Sequence, residues 1–350
     1  MDLWTYLASA SKTIVMYGMG NGADKIISVC DSYGIEIADF FASDGFVRGQ
    51  VFHGKRVMSF SEIKQKYGKE SIIVLVAFAS SLPDVMQRIA EVAAECETYI
   101  PDVPVRGCNV FCEAFEKQHR ESIEEAYDLL ADKRSKEVFR GVIEFRKSGR
   151  LDILTSTADD RSSVMSELLN FEKYRAAADI GAYNGDTAQE LTELCPHIEK
   201  IFALEPDRRN FRKLAAFAEK EPRIIPINAA AWKENTTLIF DDSGNRNAGL
   251  DEGNSRRHAE VDAVALDSIL NERVDYIKYD VEGAEKEAIE GTEATIKKYY
   301  PDLLISVYHR TEDLHELILQ IHSIAPEYKL YLRRYPYIPA WDLNLYAIKE

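Results

Sequence analysis

Paired cysteines are missing from this chain. Its five thiols, Cys30, Cys96, Cys108, Cys112 and Cys195, are odd in number, and Cys108-x3-Cys112 has no second pair nearby to complete a zinc site. That argues against a disulfide framework and fits reduced thiols in a cytoplasmic protein. Long apolar runs are missing too: the longest, Ile72–Ala79, is of strand length and far short of the roughly 18 residues of a membrane span. The opening MDLWTYLASASK carries an acid and no basic stretch, unlike a secretory signal. An excess of positive charge is lacking as well. With 43 Lys and Arg against 59 Asp and Glu, the net charge of -16 disfavours nucleic acid or an anionic membrane as the main partner. The seven histidines are scattered, with no pair at helical ligand spacing beside a carboxylate, so no metal site is expected.

What is present is an alternation of strands and helices, twice over. At 350 residues the length favours two domains, each burying its own core. Residues 1–108 predict strands at Thr13–Tyr17, Glu36–Phe41, Lys55–Met58 and Ile72–Phe78, with helices at Ala23–Tyr33, Ser61–Tyr67 and Leu82–Glu95. Residues 109–172 read as a mainly helical connector, with Leu129, Leu130, Val138, Phe139, Val142, Ile143 and Phe145 at helical spacing. Residues 173–350 predict parallel strands at Ala177–Gly181, Lys200–Leu204, Arg223–Asn228, Tyr276–Asp280 and Leu303–Tyr308. After helix Glu312–Ala325 come Tyr328–Arg334 and Leu343–Lys349, whose short connection makes them antiparallel. The fold class is α/β, two Rossmann-like doubly wound units, the second closed by an antiparallel hairpin.

Three strand ends in the second unit carry polar motifs. DIGAYNGDT puts Asp179, then Gly181, Ala182, Tyr183 and Gly185, between a strand and a helix, where backbone approaches a ligand without Cβ interference. IFALEPD puts Glu205 where a carboxylate accepts hydrogen bonds from ribose hydroxyls. IKYDVEGAE ends a third strand in Asp280 and Glu282 ahead of a glycine. Together they indicate a nucleoside cofactor. In the first unit Gly18, Gly20 and Gly22 open a helix, with Asp44 in the ribose position. The Gly20–Asp44 separation equals the Gly181–Glu205 one, 24 residues. This glycine turn is a possible nucleotide site, although helix-on-strand packing needs the same glycines.

With these residues in hand, the chain from about Tyr174 onward resembles the FkbM family of S-adenosylmethionine-dependent methyltransferases. The motifs that carry the resemblance are DIGAYNGDT, ALEPDRRNFRKL, INAAAW, LDSIL before VDYIKYDVEGAEKEAIEG, and ISVYHRTEDL. Tyr183 departs from the small or amide residue common in such turns. The resemblance implies a class I methyltransferase fold and S-adenosyl-L-methionine as cofactor. Asp179 and the Gly181–Gly185 turn would then hold the methionine and ribose, Glu205 the ribose hydroxyls, Asn228 and Ala229 the border of the adenine, with Asp280 also at the cofactor.

Methyl transfer to a hydroxyl needs alignment and a destination for one proton. His309 is the expected general base, with Asp280 or Glu282 orienting it or binding the acceptor. The competing readings are that His309 caps the helix beginning near Thr311 and that an acid braces the Gly283 turn. Lys278 is expected to form an ion pair with Asp280. The polar loop Asp241–His258, with Gly244, Gly249, Gly253, Arg246, Arg256 and Arg257, reads as a candidate lid, and Tyr335, Tyr337 and Trp341 as flat surfaces suited to a sugar ring. The expected acceptor is a small hydroxylated molecule or a glycan. Two other readings stand beside it: an NAD(P)-dependent oxidoreductase built on the Gly18 turn, and a non-catalytic nucleotide-binding protein.

Overall fold

Strands that are apolar throughout need cover on both faces, and an inner strand of each half shows it. Ile72–Val76 and Ala176–Ile180 are buried at every position. The computed structural model describes residues 1–241 and 258–349. In the N-terminal half the strands lie in the order Met58–Ser59, Asp39–Ala42, Thr13–Tyr17, Ile72–Val76, Glu97–Tyr99, all parallel. The C-terminal sheet runs Ile224–Ile227, Lys200–Leu204, Ala176–Ile180, Tyr276–Tyr279, Asp302–Ser306, Leu343–Ile348, Lys329–Arg334. Its first five strands are parallel, and Leu343–Ile348 is antiparallel to both neighbours. This is the expected α/β architecture with its antiparallel closing hairpin. No helix among the described residues is long and apolar enough to cross a membrane.

Five helices lie between the sheets in sequence: Glu113–Gln118, Arg120–Asp128, Lys133–Ser148, Leu151–Ser156 and Arg161–Leu168. Phe139, Val142 and Phe145 belong to one buried cluster with Val74 and Ile89 of the first half and Leu317, Leu330 and Leu332 of the second. The helices therefore pack on both. They also cover the exposed edge of the last sheet, a row of backbone groups that would otherwise invite strand pairing. Ala131 N–H donates to Leu330 O (2.9 Å), and Leu332 N–H donates to Ser135 Oγ (2.9 Å). At the hairpin tip Ser80 and Ile338 exchange two backbone hydrogen bonds of 2.9 Å each, tying YPYIPAWD to the N-terminal half.

Several expectations need correction. Helix Leu3–Ser9, capped by Asp2 Oδ1 accepting from Thr5 N–H (2.9 Å), had no predicted counterpart. The predicted strand Lys55–Met58 divides, Lys55–Arg56 pairing with Val51–Phe52 while Met58–Ser59 joins the main sheet. A further sheet of Ala230–Ala231, Thr236–Asp241 and His258–Val264 stands apart from the two main ones. The candidate lid falls outside the described residues except at its ends, where Asp241 and His258 pair in that sheet. The Gly18 turn has a packing explanation. A Cβ on Gly18 would lie 2.6 Å from the Phe78 ring and one on Gly22 2.7 Å from the Ala77 carbonyl oxygen, while Asp44 is exposed. Nothing found supports an oxidoreductase built on it.

Arg334 holds the hairpin turn in place. Fully buried, it donates to Thr157 Oγ1 (2.8 Å), Tyr335 O (2.9 Å), Tyr337 O (3.0 Å) and Leu154 O. Methionine fills a similar volume and donates nothing, so Arg334→Met strips all four of these hydrogen bonds and leaves Leu154 O only its bonds from Thr157. The expected loss is about 3 kcal/mol of unfolding free energy, read by urea denaturation.

Candidate active site

The carboxyl ends of the C-terminal strands open into a cleft of about 420 Å³. One end of it is built from DIGAYNGDT and ALEPD. Gly181 has φ +89°, and a Cβ there would sit 1.9 Å from the Asp280 carbonyl oxygen, so no side chain fits between the two strand ends. Gly181 N–H and Ala182 N–H both donate to Leu204 O (3.1 and 2.8 Å), which turns the chain toward helix Asp186–Leu194. Tyr183 follows in the left-handed region at φ +48°, an uncommon place for a side chain of this size. Glu205, just beyond strand Lys200–Leu204, accepts from Tyr183 N–H through Oε2 and from Asp207 N–H through Oε1, each at 2.8 Å. Burial lifts its carboxyl to about 7 despite these donors.

The other end of the cleft gathers acids around an imidazole. Tyr276–Tyr279 and Asp302–Ser306 are parallel neighbours, so Asp280 and His309 emerge side by side. Asp280 Oδ1 accepts from Ser306 Oγ (3.0 Å) and lies 3.6 Å from His309 Nε2. Burial opposes the charge on Asp280, but Lys278 and His309 outweigh it and hold the carboxyl below its usual range. Lys278 Nζ is 3.5 Å from both Asp179 and Asp280, following from its register opposite Asp179. Glu282 adopts φ +54°, and its Oε2 lies 3.9 Å from His309 Nε2. Burial, with Asp280 and Glu285 nearby, pushes the Glu282 carboxyl up to about 7. His309 is 1% exposed, and its Nδ1 is 2.9 Å from Glu285 Oε1. Burial would lower the imidazole, yet the surrounding carboxylates, Glu285 first, raise it to about 10. The surrounding carboxylates thus favour the charged form of the ring.

Gly181, Tyr183, Glu205, Ala229, Asp280, Glu282 and His309 all line the cleft. Asp179 does not: it is fully buried behind the wall, its two oxygens without a hydrogen-bond partner among the described residues, and burial raises its carboxyl. Ala182 is likewise buried, and Gly185 serves as the N-cap of the following helix. Asn228 turns toward the backbone of the Glu205 loop, donating to Glu205 O (2.8 Å) and Pro206 O (3.1 Å). His309 caps nothing, since helix Asp313–Ile324 begins four residues on. The Gly283 turn is braced by Glu285, which accepts from Val281 N–H (2.9 Å) and Gly283 N–H (3.0 Å), and not by Asp280 or Glu282.

Glu285 was not anticipated as a site residue, and Trp232 and Val105, which also line the cleft, were not either. Trp232 closes the quoted INAAAW, a signal that was available. Val105 comes from the N-terminal half, whose neighbouring Arg106 N–H donates to His309 O (2.8 Å). Tyr308, Trp341 and Tyr337 form a ladder of stacked rings beside the acids, with centroids 6.3 and 5.9 Å apart.

The close approach at Gly181 gives a stability contrast. Gly181→Ala is expected to lose at least about 3 kcal/mol of unfolding free energy, whereas Gly45→Ala, whose Cβ meets nothing within 4 Å, stays within about 0.5 kcal/mol of the parent by denaturant titration.

Residues 179–333 match the family model described as the Methyltransferase FkbM domain. The crystal structure of Methyltransferase FkbM from Methylobacillus flagellatus KT superposes with a TM-score of 0.75 at 20% identity, covering 97% of this chain and 90% of that one. At that identity the likeness speaks for the fold alone, and it spans both sheets. Fibrillarin from Aeropyrum pernix, solved with natively bound S-adenosyl-L-methionine, matches 51% of this chain and 69% of its own at 14% identity and a TM-score of 0.34. Precorrin-6y C5,15-methyltransferase from Geobacter metallireducens GS-15 matches 54% of this chain and 87% of its own at 16% identity and 0.35. Both superpositions are too low to carry weight. No curated protein matches the chain. The sequence match and the sheet order agree: residues 179–333 match the methyltransferase FkbM domain, and the C-terminal half has the class I methyltransferase fold.

Proposed function

We propose that the chain methylates a hydroxyl of a sugar or other small hydroxylated molecule, with the cofactor along the Gly181–Glu205–Ala229 side and the acceptor oxygen at Asp280, Glu282 and His309. The observation that carries this reading is that one cleft joins Glu205 to the acid–imidazole cluster. Its volume is within the range of small-ligand sites. The residues present suit the cofactor: Glu205 keeps lone pairs free beyond its two backbone donors, and Leu204, Ala229, Trp232 and Leu238 offer apolar cover for a base.

S-adenosylmethionine supplies an electrophilic methyl on a sulfonium. The rest falls to the chain. The ring ladder Tyr308–Trp341–Tyr337 gives a flat wall against which a sugar or similar ring is held. The acid–imidazole cluster then orients the acceptor hydroxyl in line with the methyl and takes up its proton as the new C–O bond forms and the bond to sulfur breaks. Asp280 stays charged beside Lys278 throughout, and Glu285 keeps His309 turned toward the cleft.

Two measurements test the two ends separately. Glu205 offers both oxygens as acceptors to the ribose hydroxyls when ionised, and burial pushes its carboxyl up to about 7. S-adenosylhomocysteine is therefore expected to bind about tenfold tighter at pH 8 than at pH 6 by isothermal titration, with a plateau above pH 8. Glu205→Gln removes that dependence and weakens binding at least tenfold. At the other end, His309→Ala lowers turnover of a hydroxylated acceptor by about 10²- to 10⁴-fold while S-adenosylhomocysteine affinity changes less than about threefold. Equal turnover in parent and variant contradicts the placement of the acceptor.

A further inference from the structure

The turn after Asp280 contains two successive left-handed residues, Glu282 at φ +54° and Gly283 at φ +94°. Left-handed backbone is uncommon for a residue with a side chain, and it persists where the surroundings hold it. Glu285 grips this turn by the N–H groups of Val281 and Gly283. Two guanidinium groups grip it by its carbonyls: Arg106 Nε–H donates to Glu282 O (3.2 Å) and Arg310 Nε–H to Gly283 O (2.8 Å). Arg106 lies so close that a Cβ on Gly283 would stand 2.7 Å from its Cγ and 3.0 Å from its Cβ.

The two arginines come from different halves. Arg310 follows His309, whereas Arg106 belongs to the segment that leaves the N-terminal sheet after Glu97–Tyr99. That segment is anchored on both sides. Lys25 Nζ, on helix Asn21–Ser32, donates to Pro104 O (3.0 Å) and Val105 O (2.6 Å). Toward the C-terminal half, Arg106 N–H donates to His309 O (2.8 Å), and Thr311 Oγ1 donates to Asn109 O. One residue of the N-terminal half thus holds the main chain of both His309 and Glu282. The side chains of that pair meet in turn, with Glu282 Oε2 3.9 Å from His309 Nε2. Burial raises the Glu282 carboxyl, and His309 and Arg106 oppose it. Burial lowers the imidazole, and Glu285, Glu282 and Asp280 raise it.

We infer that Arg106 is a positioning residue of the acid–imidazole end: reaching in from the N-terminal half, its guanidinium fixes the Glu282 carbonyl and so keeps the Glu282 carboxylate against His309. The C-terminal fold completes this end of the cleft only with the N-terminal half docked. That the pair serves an acceptor rests on the function proposed above. That Arg106 sets the pair does not.

A double-mutant cycle on the full-length chain reads the Glu282–His309 coupling without any acceptor. With isotope-labelled histidine, the His309 imidazole signal is the one absent from His309→Gln, and NMR follows its midpoint as pH rises. Glu282→Gln removes a neighbouring negative charge and is expected to lower that midpoint by about one pH unit in the parent. In Arg106→Met, which keeps the volume and donates nothing, the same substitution is expected to lower it by less than about 0.3 unit. Arg106→Lys, which can still donate to the Glu282 carbonyl, keeps at least about half of the parent shift. Thermal melting and S-adenosylhomocysteine titration of the same samples establish that each variant is folded and report on the methyltransferase reading separately. Equal shifts in the parent and Arg106→Met backgrounds, or no shift in the parent, overturn the inference. Failure of the parent to bind S-adenosylhomocysteine, with the coupling as expected, counts against the methyltransferase reading and leaves the role of Arg106 standing.

Discussion

The buried carboxylate of Glu285 ties the acid–imidazole end of the cleft together. It reaches back from the first turn of its helix to Val281 N–H and Gly283 N–H, closing the turn that follows Asp280, and it meets His309 Nδ1 from the neighbouring strand end. A charge this deep is tolerated only with compensation, and the imidazole and two backbone donors supply it. The consequence is geometric. Asp280, Glu282 and His309 are presented on one surface because a single side chain holds both of the segments that carry them.

The glycine-turn end uses the same device in another form. Glu205 is held by the backbone N–H groups of Tyr183 and Asp207, so the glycine turn and the next strand end are locked to each other. Both ends of the cleft therefore place acids on donors that the main chain already owes to solvent or to a ligand. Between them Gly181 lies against the Asp280 carbonyl, and that contact sets how near the two ends come. The N-terminal half contributes more than mass. Val105 lines the cleft, Arg106 N–H holds the His309 carbonyl, and Ser80 pairs with the turn that carries Tyr337 and Trp341.

Much of this was legible in the residues. The strand positions and the antiparallel finish followed from alternating apolar segments and one short connection, and Glu205 was marked by its place after IFAL. Other features were not separable by sequence. Gly18 and Gly22 look like a phosphate cradle because a helix packed tightly on a strand needs the same absence of Cβ. Asp179 reads as a ligand from its motif, yet it is fully buried and meets the cleft only through Lys278, 3.5 Å away. Glu285 is one of many acids in EGAEKEAIEG, and only the turn geometry distinguishes it from those on the surface. The small sheet could have been found, since Val261 and Ala263 alternate inward along His258–Val264. His309 was expected beside Asp280 and Glu282 from the neighbouring strand ends, whereas its contact with Glu285 was not.

The central claim is that one cleft receives the nucleoside on Glu205 and turns the reacting sulfur toward Asp280 and His309. A crystal structure of the chain with S-adenosylhomocysteine tests it most directly. The account predicts the ribose hydroxyls on Glu205 and the sulfur facing the gap between Asp280, Glu282 and His309. A nucleoside bound at Gly18–Gly22 instead, or bound on Glu205 with its sulfur turned away from His309, would contradict it.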